Sequence, residues 1–239
     1  MSFKIYSIRQ FFLTTANDLL NIFYPRFCLG CGAQLLDNEI GCCDICYNRH
    51  VPILEFYKTE DNSVMDQMYN RVGGKVCTFY KFTKGGLVQK LIHGLKYNGQ
   101  HQIGFELGRR AGKKLLEYST FKEVDYIIPV PLHKRKLRKR GYNQSERIAA
   151  GISSVLNVPV REDVLLKIVY NQTQTKKNRE QRRKNSLGLY FVNQEIKYHN
   201  KHFLLVDDVL TTGATLEACS QELLKIPGAK VSLFALAKA

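Results

Sequence analysis

Nowhere do the 239 residues contain an apolar run of the roughly 20 residues that a membrane-crossing helix needs, so no transmembrane segment is expected. Near the start, Lys4 and Arg9 precede Phe11, Phe12 and Leu13, but Thr14, Thr15, Asn17 and Asp18 cut that run short, and a secretory signal is not expected either. Acidic residues are scarce. Asp and Glu number 21 against 36 Lys and Arg, giving a net charge of +15 and a pI near 9.5. Such an excess implies an anionic partner: a pyrophosphorylated sugar, a nucleic acid or a membrane surface, among which charge alone does not choose. An even set of cysteines is also missing. There are seven, five of them between Cys28 and Cys46, which argues for a metal site rather than a disulfide framework and places the protein in the cytoplasm. No second redox signature accompanies them, so a metal-dependent oxidoreductase is disfavoured. The apolar fraction of 44% suffices for one medium α/β domain with a small appendage, and a disordered tail is excluded.

The cysteines form two knuckles, Cys28-Leu29-Gly30-Cys31 and Cys43-Asp44-Ile45-Cys46. Two C-x-x-C pairs can bring four thiolates to one tetrahedral Zn²⁺ and fold a segment that has almost no core. Cys42 could replace Cys43, but only Cys43 keeps the two-residue spacing to Cys46; a cluster of free or redox-active thiols is the competing reading. With four protein ligands the metal would be structural, leaving no open position for catalysis. Ahead of Pro25, Ile5, Ile8, Phe12, Leu19, Leu20 and Phe23 recur at helical spacing. That helix is expected to pack on its own protein, because its polar face is not basic enough for a membrane surface.

The chain is organised around residues 203–216, FLLVDDVLTTGATL. Four apolar residues followed by a polar turn fit a strand buried on both faces, as in a parallel sheet. Asp207 and Asp208 would emerge at its carboxyl end, beside a turn where Gly213 lets the backbone approach a ligand and Thr211, Thr212 and Thr215 supply hydroxyls. A helix is expected from Ala214 to about Ile226, and its unpaired N–H groups can bind a phosphate without a dedicated lysine. Carboxylates beside a phosphate need other partners, and vicinal ribose hydroxyls with Mg²⁺ nearby are suitable. The bland alternative is an Asp-Asp turn into a threonine-capped helix.

Elsewhere strands and helices alternate. Strands are expected over 75–82, 126–130 and 164–169, and a final one over 231–237 covering the sheet edge. Helices are expected after Gly85-Gly86, over 104–118 and around Ile148, Ala149, Ile152 and Val155. Residues 131–145, PLHKRKLRKRGYNQS, read as a basic loop at a strand's carboxyl end, placed to neutralise a polyanion. Residues 172–185 are polar and Lys/Arg-rich, either a surface loop or a lid able to close over pyrophosphate. The polar stretch 51–71 connects two domains, 1–58 and 59–239.

The segment 203–216 resembles the ribose-phosphate signature of type I phosphoribosyltransferases, enzymes that use 5-phosphoribosyl-1-pyrophosphate (PRPP). That resemblance implies that Asp207 and Asp208 hold the ribose hydroxyls and that Thr211, Thr212, Gly213, Ala214 and Thr215 hold the 5-phosphate. Together with the paired knuckles, Lys96-Tyr97, IIPVPLHKRKLRKRGYNQSERIA and QTKKNREQRRKN, the chain is similar to the ComF competence-protein family. The expected architecture is therefore α/β: a type I phosphoribosyltransferase-like, mostly parallel sheet flanked by helices, with a small N-terminal zinc ribbon. The resemblance implies a role in natural transformation, handling incoming single-stranded DNA beside other transformation proteins.

Two functions are compatible with this reading. In one, PRPP with Mg²⁺ sits over the aspartates, and basic groups such as Lys134, Arg135 and Arg179 stabilise departing pyrophosphate. In the other, the fold is a non-catalytic scaffold for single-stranded DNA, its basic loops tracking phosphates and Tyr142 or Tyr170 offering a stacking face. The resemblance implies that the zinc ribbon would stand in the region where such enzymes carry their base-recognising hood.

Overall fold

The computed structural model describes residues 25–51, 75–169, 188–193 and 196–239, and the side chain of Ile196 is left aside. The helix expected ahead of Pro25, the domain boundary at 58/59, Tyr170 and the basic stretch 172–185 with Arg179 lie outside the described residues. The chain divides into two compact units, Met1–His50 and Val51–Ala239.

In the small unit, two isolated bridges, Phe27 with Gln34 and Ile40 with Cys42, frame the first knuckle and the approach to the second. The second knuckle runs into helix α1 (Asp44–His50). Glu39 ties the insert to that helix: its carboxylate accepts from the N–H of Leu36 at 2.9 Å and from the N–H of Asp44 at 3.0 Å. The second of these bonds satisfies a donor at the helix start that has no partner within the helix.

The large unit holds strands β1 (Val76–Lys81), β2 (Tyr126–Pro129), β5 (His202–Leu210) and β6 (Lys230–Lys238) in one parallel sheet of order β1-β6-β5-β2. Helices α2 (Leu87–Tyr97), α3 (His101–Leu115), α4 (Ser119–Lys122), α5 (Lys134–Arg140), α6 (Gln144–Leu156) and α7 (Ala214–Leu223) connect and cover it. Strands β5 and β6 read as near-continuous apolar runs because helices shield both sheet faces. Phe203, Leu204, Leu205, Leu233, Phe234 and Leu236 are fully buried, each contributing about 1.5–3 kcal/mol of transfer free energy.

Three expectations change. The last strand is not at the edge: β6 pairs with both β1 and β5 and is buried from Val231 to Ala237. The strand expected over 164–169 is short, β3 (Leu165–Lys167), and pairs antiparallel with β4 (Tyr190–Val192) in a separate two-stranded sheet. The basic run after β2 is helical over Lys134–Arg140 rather than a loop. His133 Nδ1 accepts from the Arg135 N–H at 3.2 Å, and Gly141, left-handed at φ 83°, closes the helix by donating its N–H to the Leu137 carbonyl. Caps define this helix, and with Leu137 as its single apolar residue no hydrophobic period could reveal it.

Helices α3 and α6 meet backbone to backbone. A Cβ on Gly108 would lie 2.2 Å from the Ile148 carbonyl oxygen, and one on Gly151 would lie 2.1 Å from that of Phe105. This close crossing seats α6 against β2 and β5, with its N-terminus at the carboxyl end of the sheet.

Candidate functional site

Strand β5 continues through both aspartates to Leu210, and the loop 211–213 leads into α7. Gly213 takes φ 77°, a left-handed value that an L side chain resists, and its carbonyl accepts from the Glu217 N–H at 2.9 Å. Thr211 is exposed, Thr212 and Thr215 are half-buried, and Gly213 and Ala214 are buried. Asp207 and residues 211–215 line one small cavity at the start of α7. The structure thus brings the loop residues together with the first aspartate.

The second aspartate engages a different partner. Asp208 is buried and lies 2.9 Å through Oδ2 from Lys96 Nζ at the end of α2. Asp207 accepts through Oδ1 from Ser145 Oγ at 3.0 Å and from the Asp208 N–H at 2.8 Å. Burial raises the Asp207 carboxyl, the Asp208 charge raises it further, and the backbone N–H, Lys96 and Ser145 counteract only part of this; the group is pushed up to about 7.

Ser145 is positioned by the cap of α6. Asn143 Oδ1 accepts from the Ser145 N–H at 3.1 Å, and Asn143 Nδ2 donates to the Val130 carbonyl at 3.0 Å, fixing the helix start to the end of β2. On another side of Asp207 lie Lys167, Tyr190 and Cys219. Lys167 Nζ donates to Tyr190 Oη at 3.1 Å, and burial holds its ammonium below the usual lysine range while Cys219 and Asp207 pull it back.

The basic residues sort unequally. Lys134 and Arg135 begin α5 and are exposed. Lys136 is half-buried, its ammonium depressed by burial and then by Lys167, Arg140 and Lys96. Arg140 lies 5.5 Å from the Tyr97 ring centre, next to Lys96. Tyr142 is turned inward: its hydroxyl donates to the Leu95 carbonyl and its ring meets His101 edge-on at 5.9 Å. Lys96, Ser145 and Lys167 had no individual role in the sequence-based site, and Lys136 and Arg140 entered it only as members of the basic run 131–145. The available signals were that run and the place of Lys96-Tyr97 and Ser145 within the motifs carrying the family resemblance.

In the small unit, the sulfurs of Cys28, Cys31, Cys43 and Cys46 all lie within 4.8 Å of one another, with Cys31 and Cys43 at 3.9 Å. Zinc–thiolate bonds of about 2.3 Å in a tetrahedron require sulfurs about 3.8 Å apart, so the quartet fits Zn²⁺. Cys42 is buried outside the quartet, and Cys43 takes the fourth place. Cys28 Sγ accepts N–H groups from Gly30 and Cys43, each at 3.3 Å. Burial raises its thiol, but backbone donors outweigh it and bring it down to about 6; Cys46 is pushed up to about 12 by burial and the neighbouring sulfurs. A divalent cation would remove that mutual repulsion. A Cβ on Gly30 would lie 2.8 Å from Cys46 Sγ, which explains the glycine inside the first knuckle.

Residues 143–238 match the phosphoribosyl transferase domain model. Competence protein F of Haemophilus influenzae is 32% identical over 155 residues, spanning 62% of this chain and 67% of that protein. The chain belongs to the ComF competence-protein family. DNA utilization protein YhgH of Escherichia coli O157:H7 is 29% identical over 62% of this chain and 66% of its own length, so this ComF homologue aligns with about two thirds of each relative. Among solved structures, the purine phosphoribosyltransferase of Pyrococcus horikoshii Ot3 overlaps 56% of this chain and 80% of its own, at 18% identity and a TM-score of 0.34. The ComF chain thus combines a phosphoribosyltransferase-type α/β domain with a cysteine quartet able to hold a metal such as Zn²⁺. No helix among its described residues is long and apolar enough to cross a membrane.

Proposed function

We propose that the large unit binds PRPP or a related phosphorylated ribose together with Mg²⁺, in the cytoplasm, as part of DNA uptake. The observation carrying this reading is the arrangement of adjacent aspartates on a central parallel strand, followed at once by a left-handed Gly213 and the open N-terminus of α7. Asp207 and Asp208 accept the ribose hydroxyls, and the backbone N–H groups and hydroxyls of Thr211, Thr212, Gly213, Ala214 and Thr215 receive the 5-phosphate. Pyrophosphate faces α5, where Lys134 and Arg135 stand at the helix start and Lys136 and Arg140 lie beside Lys96. Arg179 keeps its proposed part from outside the described residues. When bound, Mg²⁺ neutralises pyrophosphate charge; the small unit carries structural zinc.

Calorimetric titration of the zinc-loaded protein with PRPP, with and without Mg²⁺, tests this. Binding should require Mg²⁺ and disappear in a folded Asp207→Asn/Asp208→Asn variant. Failure of the wild type to bind overturns the reading and favours the second one, a single-stranded DNA scaffold, which the exposed basic residues of α5 support.

A further inference from the structure

The carboxyl end of β2 borders a second groove, between α5, the start of α6 and β3, with a volume of about 470 Å³. That is within the usual range for small-molecule sites. Three large apolar side chains that the fold leaves in solvent converge on it: Leu137, Leu166 and Ile168, at 40%, 45% and 58% exposure. Such convergence marks a surface built to be covered. Two carboxylates, Glu146 in the first turn of α6 and Glu162 just ahead of β3, also line the groove, as do Lys134, Lys167 and His133; Lys167 is already engaged by Tyr190. Glu146, Glu162 and Lys134 have no hydrogen-bond or ion-pair partner among the described residues. The glutamates are close enough for the charge of Glu146, after burial, to raise the Glu162 carboxyl.

The two neighbouring carboxylates limit what the groove can accept. A bare polyanion would meet Lys134 and Lys167 but also both glutamates, and would leave the apolar walls uncovered. A simple cation would face the two lysines and leave the same walls uncovered. A flat ring with N–H donors along one edge and an anion attached satisfies all three features. We propose that this groove binds an amine-bearing nucleobase of a nucleotide: exocyclic N–H groups donate to Glu146 and Glu162, the ring covers Leu137, Leu166 and Ile168, and the phosphate meets Lys134. A carboxylate accepts from the N4 amine of cytosine, whereas thymine presents an acceptor oxygen at the same place. The nucleotide can be free or part of a single strand. The proposal does not depend on ribose-phosphate binding at Asp207 and Asp208.

The test uses the full-length, zinc-loaded protein and titrates dCMP, dTMP, and oligo(dC) and oligo(dT) 12-mers. dCMP is expected to bind at least about tenfold tighter than dTMP. A Glu146→Gln/Glu162→Gln variant should lose that preference, because glutamine offers a donor as well as an acceptor. Leu166→Ser, at an exposed position the fold tolerates, should weaken both nucleotides severalfold, with thermal melting confirming that each variant is folded. If oligo(dC) binds far tighter than dCMP with steep salt dependence, the ligand is a strand; if the two bind alike, it is a free nucleotide. Either result, with the preference intact, supports the groove. Equal affinity for dCMP and dTMP, no binding of either, or a preference that survives the double variant overturns it. The Asp207→Asn/Asp208→Asn variant should keep the base preference while losing PRPP, so failure of one site is read separately from failure of the other.

Discussion

Lys96 Nζ lies 2.9 Å from Asp208 Oδ2, joining the last turn of α2 to the central strand β5. The aspartate side chain is 7% exposed and the lysine 22%, so the pair is largely shielded from water. Removing one member therefore leaves a charge that water cannot fully solvate.

Lys96→Met is accordingly expected to destabilise the protein by about 2–3 kcal/mol, somewhat below the range for a fully buried pair because Lys96 is partly hydrated. The melting temperature should fall by roughly 5–10 °C. Adding Asp208→Asn should restore more than half of the loss by removing the stranded charge. Thermal denaturation of the single and double variants decides it; an unchanged melting temperature in Lys96→Met would show the pair to be solvent-screened.

Asp207 makes stability depend on pH in a definite direction. Its folded value of about 7 exceeds the ordinary carboxyl value of 3.8, so the folded state holds a proton that the unfolded chain releases. That contribution is fully present below about 4 and is lost as pH rises through about 7. Asp207→Asn abolishes it, so the variant should melt close to wild type near pH 4 and progressively higher than wild type between pH 5 and 8. His202 acts oppositely: burial holds its imidazole below the usual value, so stability rises with pH through the unfolded value near 6.5. Comparing wild type with variant at each pH cancels that background. A difference in melting temperature that does not vary with pH would contradict the assignment.

The cysteine quartet predicts metal stoichiometry. Cys42→Ser should retain one zinc per chain, whereas Cys43→Ser should lose it or hold it much more weakly, as measured by elemental analysis after dialysis. Gly30→Ala should cost about 1–3 kcal/mol through its contact with Cys46 Sγ and release zinc to a chelator faster than wild type. Equal metal content in Cys42→Ser and Cys43→Ser would mean that either sulfur can complete the quartet.

Much of this molecule was legible in short stretches of sequence. The run before Asp207 announces a strand buried on both faces, Gly213 announces a turn before a helix, and the two knuckles announce a sulfur quartet, because each pattern is written in neighbouring residues. Tertiary structure decided the rest. A strand buried on both faces reads alike at the edge and in the middle of a parallel sheet, so only packing placed β6 between β1 and β5. Lys96 and Ser145 reach Asp208 and Asp207 from distant elements, and no local spacing encodes such partners. The α5 helix depends on capping at His133 and Gly141, which leaves no hydrophobic period. What depends on adjacent residues was in the sequence; what depends on which surfaces pack together and exclude water came only with the fold.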